Sequence, residues 1–143
     1  MSSQRHMILT NIKQTLSEIS EKNGYLTTVK EVSFEPKDWD QLQKFPVLYI
    51  LADEETIDHE PDMTEHSSFV VMIIGYTAGA RRIQDAEELV ADVKKAIGNN
   101  ITLGGHAERA WVTRVVNLSP LVGDRGIVQI DLSIDYFYDA KQP

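Results

Sequence analysis

Val128-Gln129-Ile130-Asp131-Leu132-Ser133-Ile134-Asp135-Tyr136-Phe137-Tyr138 alternates between two kinds of position over eleven residues. Val128, Ile130, Leu132, Ile134, Tyr136 and Tyr138 fall on one side. Gln129, Asp131, Ser133, Asp135 and Phe137 fall on the other. A period of two is the repeat of a pleated strand, so the stretch reads as a long strand with one buried and one wet face. The wet side carries acids and small polar groups, and no Lys or Arg.

Working back along the chain, Trp111 to Leu118 reads as another strand, with Pro120 to Gly126 as the turn to the final strand, Ile127 to Tyr138. The two strands are close enough to form an antiparallel hairpin. The tail from Asp139 is expected to fray. Asp85 to Gly98 has a helical period, with Ala86, Leu89, Val90, Val93 and Ile97 on its apolar face. Asp85 and Glu88 suit its first turn, and Lys94-Lys95 its last. Thr77 to Arg82 reads as a Gly-containing loop with two arginines. Phe69 to Tyr76 is almost continuously apolar, which predicts a central strand covered on both faces.

Asp53 to Ser68 is acidic and contains Pro61, and reads as a long exposed loop. Pro46 opens a strand, Val47 to Leu51, at a position where a missing amide is tolerated. Lys37 to Gln43 suits one helical turn containing Trp39. Tyr25 to Phe34 is rich in Thr, Val and aromatics and reads as a strand that Glu35-Pro36 ends. In Met7 to Lys22, Ile8, Leu9, Ile12, Leu16 and Ile19 recur at helical steps until Asn23-Gly24 stops the helix. The order is therefore α-β-β-β-α-β-β. Its simplest packing is a single α+β domain over residues 1–143, with both helices on one face of a mostly antiparallel or mixed five-stranded sheet.

At 143 residues such a domain buries about 70% of its unfolded surface, enough for one core. There is no cysteine, which excludes disulfides, thiolate chemistry and Cys-ligated zinc. No apolar run approaches the roughly 20 residues that span a bilayer, and Met1 to Met7 lacks the apolar core of a signal peptide. The expectation is a soluble protein made in the cytoplasm, with no membrane partner. A net charge of −8 argues against tight nucleic-acid binding, which needs basic surface to release counterions. It leaves room for DNA that slides past a repulsive wall.

No motif announces a reaction. The acids of the 53–66 stretch, with His59 and His66, offer ligands for a hard cation, and a small metal-dependent enzyme built on them is an alternative reading. EF-hand spacing and His-Glu-x-x-His are absent. His106 follows Gly104-Gly105 without a Ser or Cys partner, and the glycines suit a tight turn. We expect no catalytic residue, no metal site and no cofactor. Arg81 and Arg82 suit an anion or a neighbour's carboxylate, and Phe137, aromatic on the wet side, suits a contact surface. These three are the expected subunit interface. Trp39 and Trp111 read as packing anchors.

Several phrases together carry a resemblance. They are the opening helix running into Asn23-Gly24-Tyr25, then Thr28-Val29-Lys30-Glu31-Val32, and Phe45-Pro46-Val47-Leu48-Tyr49-Ile50 before the acidic stretch. The second helix through Ile101-Thr102-Leu103-Gly104-Gly105 and the closing hairpin with Tyr136-Phe137-Tyr138 complete it. Over nearly its whole length the chain resembles the tail terminator, or tail completion, proteins of long-tailed bacteriophages. The resemblance implies a virion protein, assembled in the host cytoplasm as a ring, typically a hexamer. The ring caps the tail tube, ends tail growth and presents a surface to the head or neck. Its partners would be further copies of itself, the tube protein and a connector protein, with DNA as passing cargo. The acids Glu54, Glu55, Asp58, Glu60, Asp62, Asp131 and Asp135 are then expected to face the lumen, where like charge keeps DNA from sticking. A head–tail connector component is a close alternative, and a cellular oligomeric interaction module a more distant one.

Overall fold

The computed structural model describes residues 3–35, 44–119 and 123–143. The chain is α+β, with two α-helices and one five-stranded mixed sheet. Helix α1 spans Gln4–Ser17 and is capped by the Ser3 hydroxyl, which accepts the His6 amide. A short 3-10 turn at Glu21–Asn23 follows and closes on Gly24, whose φ of 91° suits glycine. Strand β1 is Glu31–Ser33, β2 is Val47–His59 and β3 is Thr64–Ala78. Helix α2 is Arg82–Gly98, then come β4, Arg109–Asn117, and β5, Arg125–Asp139. Across the sheet the order is β1-β2-β3-β5-β4. Among the described strands only β1 and β2 pair in parallel.

The alternation of β5 is borne out. Val128, Ile130, Leu132, Ile134 and Tyr136 are buried, and the residues between them are half-buried until Phe137, which is exposed. Register places Ile130 beside Ile73, and Ile73 beside Ile50. These side chains form one core with Ile8, Ile12 and Leu16 of α1 and Leu89, Val93 and Ile97 of α2. At Gly75 a Cβ would come within 2.7 Å of Leu89 Cδ2, so a small residue lets α2 approach the sheet.

The sequence reading needs four corrections. Asp53 to Ser68 is not a loop: β2 and β3 continue through it as a hairpin, with His59 paired to Glu65. Pro61 sits in the turn between the strands, and Met63 takes a left-handed φ of 71° there. Backbone pairing, not an apolar face, carries this arm. Second, Phe69 to Tyr76 is not buried on both sides: Phe69, Val71 and Ile73 are fully buried, but Val70, Met72, Ile74 and Tyr76 are half-buried. Third, the strand read over Tyr25 to Phe34 shrinks to β1, because Leu26 and Thr27 bond to a side chain of α2 instead of a strand. Fourth, the chain end is tied down. β5 runs to Asp139, Ala140 donates to the Met63 carbonyl, and the Gln4 amide donates to the Pro143 carbonyl at 2.8 Å. The helical turn expected around Trp39, and part of the 120–126 turn, lie outside the described residues.

Candidate assembly surfaces

The arm has two unlike faces. On the side continuous with the core, two carboxylates are held by tyrosines. Glu55 accepts the Tyr136 hydroxyl at 3.0 Å and Arg5 Nη1 at 3.3 Å, and its side chain is only 11% exposed. Glu65 accepts the Tyr138 hydroxyl and lies 2.8 Å from His59 Nδ1. Burial, with Glu55 beside it, pushes the Tyr136 hydroxyl up to about 12. The bond to Glu65 raises Tyr138, and the same bond lowers Glu65. This is a polar layer that extends the core, so Glu55 and Glu65 stand apart from the exposed acids of the arm.

On the other face, His66 stacks on Phe137 with ring centroids 4.5 Å apart. His66 Nε2 is 3.9 Å from Asp135, which also accepts the Ser68 hydroxyl at 3.0 Å. Asp131 accepts the Gln129 side chain at 3.0 Å. Register adds what β5 alone does not show: Arg109 lies opposite Asp135, and Arg114 opposite Asp131. The wet face of β5 is therefore mixed in charge, its cations supplied by the neighbouring strand. The signal was present in the Arg109 to Asn117 spacing and needed only the hairpin register to be read.

Asp53, Glu54, Asp58 and Glu60 are exposed and have no side-chain partner among the described residues. Asp62 accepts the Thr64 amide at 3.1 Å, which lowers its carboxyl from the usual value. Arg81 reaches Glu88 at 3.4 Å and Asp85 at 3.9 Å, while Arg82 Nη1 bonds the Gly79 carbonyl. Both arginines thus engage their own chain at the start of α2, and neither lies near Phe137 in the fold's order. Phe137 itself is 46% exposed.

His59 and His66 do not converge. His59 pairs with Glu65 on the core side, and His66 points with Phe137 to the opposite side. Among the described residues, no group of three or more His, Asp or Glu side chains could hold a metal ion. No described helix is long and apolar enough to cross a membrane.

What the fold offers is surface: two long sheet edges, an acidic arm and polar clusters that serve packing. That is the make-up of a structural subunit. The chain belongs to the bacteriophage tail tube terminator protein family, whose model matches residues 2–108. It is thus a structural protein of a phage tail and a virion component. No curated protein matches the chain. The matched span ends just before β4, so all of β4 and β5 lie beyond it.

Proposed function

We propose that the chain acts as one unit over residues 1–143 and closes into a ring on the end of the tail tube. One ring face matches the last tube subunit and blocks further addition, and the other serves head or neck attachment. In this reading both helices lie against one side of the sheet, and the opposite side and the sheet edges serve these contacts. The family match carries this reading, and the two sheet edges left open among the described residues support it, since a heterologous contact that closes under rotation makes a ring. The action is geometric and involves no chemistry.

Within the ring we assign the DNA passage to the free acids of the arm, Asp58, Glu60 and Asp62, and leave Glu54, at the irregularity of β2, out of it. A wall of the same sign as DNA lets it slide without counterion release. Asp131 and Asp135 share this face but stand beside Arg114 and Arg109, so their part in the wall is smaller. Phe137, with His66 beneath it, is the apolar contact for a neighbouring virion subunit. Arg81 and Arg82 serve the start of α2 first.

The test is solution mass by light scattering, free and with polymerised tail tubes. A closed species of about six subunits, or stoichiometric capping that stops tube growth, supports the reading. A stable dimer that leaves tubes growing overturns it.

A further inference from the structure

The two outer edges of the sheet are complementary. β1 covers β2 only at Val47–Tyr49, so among the described residues Ile50–His59 has no strand on its outer side. At the far edge the Ile101 carbonyl accepts the Ala110 amide, but Val112–Asn117 has no outer strand among the described residues. Unpaired edges like these are templates for another chain.

Three observations match one edge to the other. The first is polarity. β2 and β5 run one way and β3 and β4 the other, so two copies set side by side in the same orientation bring β4 of one antiparallel to β2 of the next. The second is charge at matching heights. Along the ladder, Arg109 is level with Asp135, Ser68 and Thr56, and Arg114 with Asp131, Met72 and Leu51. The two exposed arginines thus bracket the height of the β2 irregularity between Ala52 and Glu55, where Asp53 and Glu54 stand exposed and, among the described residues, without a side-chain partner. The third is shape. An apolar groove of about 300 Å³ follows the open edge of β2, lined by His6, Leu9, Phe34, Ile50, Leu51 and Ala52. Val112 and Val115, half-buried on the core side of β4, stand at the heights of Ala52 and Ile50.

We propose that neighbouring copies meet edge to edge, the β4 edge of one copy against the β2 edge of the next. Arg109 and Arg114 face Asp53 and Glu54 across the seam, and Val112 and Val115 close the neighbour's groove. This deepens the ring reading and rests on it. The occupant is a second copy of this chain because both halves of the match belong to one sequence and need no inversion of either molecule.

Charge reversal tests the seam. Arg109→Glu/Arg114→Glu makes both edges acidic, and Asp53→Arg/Glu54→Arg makes both basic. Each variant alone should stay monomeric at roughly tenfold the protein concentration at which the wild type closes. An equimolar mixture should regain the closed mass, because every seam then joins opposite charges, and this rescue also shows that both variants fold. In the cysteine-free chain, Glu54→Cys/Thr113→Cys should give covalent oligomers beyond dimer on oxidation, while each single variant stops at dimer. Closed rings from both reversed variants overturn the seam and leave the ring reading standing. A wild type that never exceeds monomer, free or on tubes, overturns both.

Discussion

The Asp92 carboxylate on α2 accepts the backbone amide of Thr27 at 2.7 Å, across 65 positions of sequence. The same carboxylate takes the Leu26 amide at 2.9 Å and the Thr27 hydroxyl. Asp92 is 2% exposed, and it does for residues 26–27 what a neighbouring strand would have done. Asp92→Ala leaves buried donors without acceptors and should cost about 2–4 kcal/mol of stability. Asp92→Asn keeps one acceptor oxygen and should cost less. Urea unfolding of the two variants checks the order. Equal losses would show that the acceptor count is not what matters.

Tyr136 and Glu55 set a pH limit on the alkaline side. An unfolded tyrosine ionises near 10, whereas the folded Tyr136 ionises at about 12. Its stabilisation is therefore complete below pH 10 and lost as pH rises towards 12, because the unfolded chain releases its proton first. Tyr138 is raised too and acts in the same direction. Tyr136→Phe should flatten the fall in melting temperature between pH 10 and 12 without abolishing it. Glu65 is lowered from 4.5, so its contribution is present above that value and lost as pH falls. Glu65→Gln should soften the acid limb, and because the Glu65 carboxylate is what chiefly raises Tyr138, it should soften the alkaline one as well. An unchanged alkaline slope in Tyr136→Phe would refute the assignment.

Gly126 pairs with Thr77 where β3 leaves the sheet for α2. A Cβ there would run into the Thr77 hydroxyl and the Arg82 carbonyl, which are bonded to each other. Gly126→Ala should destabilise by about 1–3 kcal/mol, since the first turn of α2 must shift. Gly98, at the end of α2, has open space at its Cβ position, and Gly98→Ala should be neutral or stabilising by up to about 1 kcal/mol. Thermal melts of the pair measure the contrast. A neutral Gly126→Ala would mean that the Thr77–Arg82 bond gives way freely.

The legible parts of this fold are those whose pattern is local. β5 shows its buried row in the sequence because each apolar residue from Val128 to Tyr136 meets the core directly. Helix α2 shows the same through Leu89, Val93 and Ile97. The outer half of β2 does not. Between Asp53 and His59 only Ile57 is apolar, because one side meets water and the other meets the polar layer of Glu55 and Glu65. Such a strand is specified by its partner, β3, and partners are non-local. The same limit hid the pairing of Arg109 and Arg114 with Asp135 and Asp131, which turned an acidic face into a mixed one. The tail role was legible through the family resemblance, not through any reactive group.

The free acids at the end of the arm give the last prediction. Among the described residues Asp58 and Glu60 are exposed without cations, and Asp62 is held by the Thr64 amide, so the three carry negative charge that no described side chain offsets. None lies within the irregularity that carries Asp53 and Glu54, so they can be changed while that stretch is kept. Asp58→Lys/Glu60→Lys/Asp62→Lys changes the charge by about six units per subunit and gives DNA phosphates basic groups to hold. Rings should still form with unchanged mass, while DNA delivery from assembled particles slows and becomes more salt-dependent. The alanine triple variant should lie between the two, because it removes repulsion without adding attraction. Time-resolved DNA ejection at two salt concentrations separates the cases. Delivery at the wild-type rate from particles carrying the lysine variant would place these acids outside the passage.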